Sequence, residues 1–133
     1  MVENVKKTLL EKGAIFTTSS DSDIENSEHI IGFSFDNDYK DYLRCMGTIY
    51  LDGKEFYGLG VPKDYYLNIG NALQKLRLLP DYPPLMLPLV SNGAGAWFLY
   101  DCQRGSVFSW QIAGDVDDQR KSLKVFLEDF FRV

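Results

Sequence analysis

SNGAGAWFLYD, residues 91–101, decides how the chain is read. Gly93 and Gly95 stand one residue apart, and a glycine-rich loop can cradle phosphate when a helix follows it. A dinucleotide fingerprint needs a strand, then G-x-G-x-x-G, then a helix start. Here Phe98 takes the place of the third glycine, and Ala96 to Asp101 continue as a strand pattern. No Lys followed by Ser or Thr closes the loop, as a P-loop requires. The stretch therefore reads as a turn between two strands, with Asn92-Gly93 suited to the positive φ angles of a type I′ turn. This excludes nucleotide chemistry at the loop and makes the C-terminal half a run of sequential strands.

The neighbouring segments extend that run. LMLPLVSN precedes the loop as a strand, with Pro88 implying an edge or a bulge. GSVFSWQI follows AWFLYD after the turn CQRG. The chain then closes with a helix whose apolar face carries Leu123, Phe126, Leu127, Phe130 and Phe131, capped by Ser122 or by the Asp117-Asp118 pair. Upstream, TIYLDGKEFYGLG is a hairpin around Asp52-Gly53.

Helices fill the rest. Val2 to Lys12 carries Val2, Val5 and Leu9 at helical spacing and stops at Gly13. AIFTTSS is an extended link. Ser22 and Glu25 have the spacing of a capping box for a helix that ends at Gly32, with Ile24 and Ile31 on one face and Ile30 near its edge. Asp36 or Asn37 caps the next helix, which carries Tyr39, Tyr42, Leu43 and Met46 and closes at Gly47. KDYYLNIGNALQKLRLL reads as a helix weakened at Gly70, with Leu73, Leu76 and Leu79 on one face, and PDYPP as a rigid loop. Antiparallel strands with helices packed around them define an α+β fold. Its 133 residues make one domain, 1–133, with no linker, repeat or low-complexity segment.

A chain of this length buries about two-thirds of its unfolded surface, so it holds a core without disulfides or metal. The net charge of −5 argues against nucleic acid, which needs Lys and Arg to displace counterions, and suits a basic partner. Cys45 and Cys102 have no CxxC spacing and read as reduced thiols. No window approaches the about 20 apolar residues of a membrane helix, and no signal-peptide pattern opens the chain. The expected location is the cytoplasm.

The chemical candidates are few. His29 is the only histidine, beside Glu28 and near Glu25. It becomes a general base only if a distant nucleophile folds against it in a cleft. The acids group as Asp21-Asp23-Glu25, Asp36-Asp38-Asp41 and Asp115-Asp117-Asp118. DNDYKD alternates Asp as a calcium loop does, but lacks the turn glycine and closing glutamate. Helix capping and a solvated face explain most of these acids, and the functional alternative is an acidic contact surface. Phe56, Tyr57, Tyr65, Tyr66 and Tyr82 gather around the hairpin and the proline-rich loop. Tyr65 and Tyr66 are the candidate anchors, since tyrosine is favoured at interfaces.

The order of these motifs resembles the SUKH superfamily, the Smi/Knr-like domains, over roughly residues 20 to 131. DIENSEHIIGFSF leads into DNDYKDYLRCMG, and EFYGLG ends a hairpin. LPLVSNGAGAWFLYD, GSVFSWQ and SLKVFLEDFF follow. Tyr39 and Leu43 stand in the middle helix, Gly95 in the turn, Tyr100-Asp101 at the family's Leu-Asp site, Trp110 at its Trp site and Phe126 in the closing helix. Ser34-Phe35 replace the family's Leu-Pro, and Pro62 to Pro84 match no part of the pattern. That middle region is where partner specificity is expected.

The resemblance implies a binding module without enzymatic activity, catalytic residues, metal or cofactor. Bacterial members are typically immunity proteins that grip a cognate toxin domain, often a nuclease or deaminase. Fungal members are regulatory scaffolds of cell-wall synthesis. The expected partner is a basic toxin domain. Its candidate contacts are Asp36, Asp38, Asp41, Tyr65, Tyr66, Asp115, Asp117 and Asp118. The chain itself is expected to be a monomer or weak homodimer. The alternatives are a scaffold of the Smi/Knr type and a small hydrolase using His29.

Overall fold

The computed structural model describes residues 2–133. Its centre is one antiparallel sheet in which every strand pairs with its sequence neighbour, in the order β1 to β7. The strands are β1 (Ile15–Phe16), β2 (Ile49–Leu51), β3 (Lys54–Phe56), β4 (Met86–Ser91), β5 (Ala96–Asp101), β6 (Ser106–Gln111) and β7 (Val116–Asp118). The helices are α1 (Glu3–Glu11), α2 (Asp21–Ile31), α3 (Asn37–Cys45), α4 (Ile69–Leu76) and α5 (Leu123–Phe131). Short turns join β2–β3, β4–β5, β5–β6 and β6–β7 as antiparallel neighbours, α2 and α3 connect β1 to β2, and α4 connects β3 to β4, giving the α+β arrangement of a sheet with helices packed around it.

Asp52-Gly53 forms the β2–β3 turn with φ of 51° and 77°, the pair of positive values a type I′ turn needs. The glycine loop is longer than a two-residue turn. Asn92 accepts the Ala94 and Ala96 N–H groups on its side-chain oxygen at 2.9 and 3.3 Å, and the positive φ angles fall on Gly93 and Gly95. Pro88 lies in an interior strand, not at an edge. The β4–β5 register shifts between Pro88 and Val90, so a bulge accommodates the residue that cannot donate.

The start of α2 and both ends of α4 differ from the expected ones. Ser20, not Ser22, caps α2 by accepting the Asp23 N–H. α4 starts only at Ile69, capped by Asn68, whose side chain takes the Asn71 N–H at 3.1 Å. It ends at Leu76, because Leu78 and Leu79 donate three residues back in tightened turns ahead of Pro80. Asp117-Asp118 lie in β7, and Ser122 alone caps α5.

Cross-strand partners share a sheet face, which sorts the side chains. Ile49, Phe56, Val90, Phe98 and Tyr100 share one face. There Phe56 and Phe98 meet Phe126 of α5 at 6.4 and 4.9 Å, and Tyr39 of α3 stacks on Tyr100 at 5.9 Å. Trp97, Leu99, Phe108 and Trp110 occupy the other face under Tyr82. Leu43 is fully buried.

The α3–β2 corner is tight. A Cβ built on Gly58 would fall 1.5 Å from the Gly47 carbonyl oxygen, so only glycine fits. The gap is held by Leu59 N–H donating to Gly47 O at 3.0 Å and by Thr17 Oγ1 donating to Leu59 O at 2.7 Å.

Candidate functional site

The eight candidate contact residues do not form one patch. Asp36 is half-buried and committed to the fold. Its Oδ1 accepts the Tyr39 N–H at 2.9 Å, and its Oδ2 accepts the Tyr100 hydroxyl at 2.5 Å. Burial raises its pKa, against the pull of those two hydrogen bonds. Burial, then the Asp36 carboxylate, pushes Tyr100 far above the ordinary phenol range, so the hydroxyl remains a donor. Asp41 pairs with Arg44 at 3.0 Å, and Arg44 reaches Asp21 at 2.5 Å, clipping α3 to α2. Asp38, also on α3, makes no hydrogen bond or ion pair among the described residues.

Asp115, Asp117 and Asp118 are exposed at the β7 edge. Asp118 accepts from Ser106 Oγ at 2.6 Å and from the Arg120 N–H at 2.8 Å, and the Ser106 bond chiefly lowers its pKa. The β5–β6 turn brings this group towards Asp36. Gly105, next to Ser106, has its Cβ position 3.9 Å from Asp36 Oδ2. Asp101 is buried at the mouth of the same turn, accepting the Gln103 N–H at 2.8 Å.

Tyr65 and Tyr66 lie beside β1 to β3, in the other half of the sheet. They are 40% and 50% exposed and pack ring against ring at 4.6 Å. The Tyr66 hydroxyl donates to Glu55 Oε2, which raises its pKa well above the phenol range. Glu55 faces Tyr50 across β2–β3, and Tyr50 faces Ile15 across β1–β2. Tyr50 is 47% exposed and Ile15 62%. Ile15, Tyr50, Tyr65 and Glu55 thus line a hollow of about 390 Å³ together with Val61 and Pro62, and Tyr66 extends the surface through its contacts to Tyr65 and Glu55.

Tyr50 and Ile15 are the residues sequence reasoning missed. The signal for Tyr50 was the alternation in Ile49-Tyr50-Leu51, which turns the middle residue outward. Ile15 had none, because a two-residue strand shows no period.

The Tyr66 hydroxyl sits on Glu55 of β3, four strand spacings of about 4.8 Å from β7, so the tyrosines and the β7 acids stand about 19 Å apart across the sheet. A standard interface of about 800 Å² per partner is about 30 Å across. The two groups fit within one such interface, on either side of its centre. Register places Asp118 on the face of Tyr50 and Glu55, and Asp117 on the α5 face.

His29 is exposed on the surface of α2. The hydrolase alternative required it in a cleft against a nucleophile, and the fold does not place it there. Burial pushes the Cys102 thiol up to about 12 and raises that of Cys45, which keeps both protonated. Among the described residues, no group of three or more His, Cys, Asp or Glu side chains has a metal-holding arrangement. No helix among them is long and apolar enough to cross a membrane. Of the motif residues, Tyr39, Leu43, Tyr100, Trp110 and Phe126 are core, and Gly95 turns the chain at φ 78°.

The family model SUKH_6, described as SMI1-KNR4 cell-wall, matches residues 21–131. No curated protein matches the chain.

Proposed function

The chain belongs to the SMI1-KNR4 cell-wall family SUKH_6, and we propose that it is a non-enzymatic immunity protein that captures a cognate toxin domain in the cytoplasm. The match extends from α2 to the end of α5, and family membership supports a protein-binding role. The observation that carries the reading to a surface is the stacked, exposed Tyr65–Tyr66 pair continuous with Tyr50 and Ile15. Large rigid aromatics bury much area at little entropic cost, as binding hot spots do.

The toxin is of nuclease or deaminase type and basic where it meets nucleic acid. The net charge of −5 draws it in, and the tyrosine surface holds it. Asp38, Asp115 and Asp117 contribute field and margin contacts, whereas Asp36 is held by its fold contacts. The test is parallel capture of the partner by wild type and by the Tyr65→Ala/Tyr66→Ala variant. Retention by wild type and loss in the variant supports the reading, and equal retention removes it.

The cell-wall description of the matching model favours a second reading, a regulatory scaffold of the Smi/Knr type. Both use a protein-binding surface. The chemistry of the captured partner separates them.

A further inference from the structure

A second concavity lies on the far side of the Leu59–Lys63 loop. α2 and α4 form the walls of a groove of about 900 Å³, and Val61 and Pro62 separate it from the tyrosine hollow. Asn26 projects from the α2 wall and Gln74 from the α4 wall, both exposed. Neither side chain has a hydrogen-bond partner among the described residues. A carboxamide offers a donor and an acceptor together, which is the complement of a peptide unit. Ile30, 67% exposed on the α2 wall, offers an apolar contact beside them.

The charges in the groove run against those of the chain. Lys63 and Arg77 line it with a single acid, Asp23, whereas the whole protein carries −5. They are also ordered. Arg77 Nη2 lies 3.5 Å from Ile31 O, which puts the guanidinium at the C-terminal end of α2. Asp23 stands in the first turn of α2, at the other end. From Asp23 to Ile31 the helix rises about 12 Å, the length of about four residues of extended chain.

We infer that this groove binds a short extended acidic peptide segment, with its backbone on Asn26 and Gln74, an apolar side chain on Ile30 and its carboxylate at Arg77. The inference rests on the protein-binding reading but not on the tyrosine surface. It gives the partner a second contact, through a segment of opposite charge to the basic domain.

The experiment is selection of a phage-displayed random heptapeptide library on the full chain, followed by affinity measurement of the enriched synthetic peptides. Four proteins are compared: wild type, Arg77→Glu, Asn26→Ala/Gln74→Ala and Tyr65→Ala/Tyr66→Ala. The groove residues substituted are exposed, and a cooperative thermal unfolding transition confirms folding, at a somewhat lower temperature for Arg77→Glu, which loses the contact to Ile31 O. The expected peptides hold an acidic and an apolar residue within four positions. They bind both groove variants at least about tenfold more weakly and the tyrosine variant unchanged. The inference is overturned by an absence of enrichment, by basic consensus peptides, or by equal binding to Arg77→Glu. Peptides lost only in the tyrosine variant overturn the groove and leave the protein-binding reading standing.

Discussion

The Tyr100 hydroxyl donates to Asp36 Oδ2 at 2.5 Å, so a central strand holds the residue that caps α3. One carboxylate thereby joins sheet and helix, with its other oxygen on the Tyr39 N–H. Asp36→Ala removes the cap and strands a buried donor. The expected cost is about 2–4 kcal/mol in urea unfolding, with Asp36→Asn, which keeps the cap, costing less.

The same carboxyl makes stability depend on pH. Its folded pKa lies above the ordinary carboxylate value because burial disfavours the charge. Between those two values the native state holds more protons than the unfolded chain. Stability from this group is therefore greatest below the window and falls as pH rises through it. Asp36→Asn removes the step, so wild type loses ground to that variant across the window in paired urea titrations. An opposite slope would show that the hydrogen bonds outweigh burial.

Gly58→Ala is expected to destabilise by at least about 3 kcal/mol, because its Cβ would meet backbone, not a movable side chain. Thermal unfolding reads this directly. A near-neutral substitution would mean that the Gly47–Gly58 contact is not as close as described.

Two tyrosines of α3 should respond in opposite senses. Tyr42 donates to Tyr57 O at 2.7 Å, and Tyr42→Phe should cost about 1 kcal/mol. The Tyr39 hydroxyl is buried without a partner among the described residues. Tyr39→Phe removes a desolvated polar group and should be neutral or stabilising by up to about 1–2 kcal/mol. Chemical denaturation of the pair gives the order, and a larger loss for Tyr39→Phe would contradict it.

Reversing Asp115, Asp117 and Asp118 to Lys should slow association with a basic partner about tenfold at low salt and much less near physiological salt. The acids lie about 19 Å from the Tyr66 hydroxyl, beyond a Debye length of about 8 Å. Surface-plasmon on-rates across a salt series check this. A change confined to dissociation would make these acids direct contacts.

Much of this architecture was legible because local chemistry and final structure agree. Asp52-Gly53 dictates its turn, the apolar stripe of α5 dictates its face, and AWFLYD and GSVFSWQI pair as sequential strands. The misses arise where long-range contacts choose between equal local options. Ser20 and Ser22 each have an acid three residues on. Ser20 wins because Ser19 Oγ donates to Leu43 O at 2.7 Å and fixes the approach to α2. β7 has three residues and no apolar alternation, and it is a strand only because β6 pairs with it. The tyrosines were visible as candidates, but their continuity with Tyr50 and Ile15 follows from strand register. No sequence period reveals the α2–α4 groove, which exists only once two distant helices face each other.

The most direct measurement is salt-graded capture from lysate of the source organism, run in parallel with tagged wild type and Tyr65→Ala/Tyr66→Ala, with mass spectrometry of both eluates. The prediction is one stoichiometric polypeptide with a basic domain, held by wild type, released as salt rises and missing from the variant. The same polypeptides on both proteins, or none that wild type alone retains, would contradict capture through the tyrosine surface.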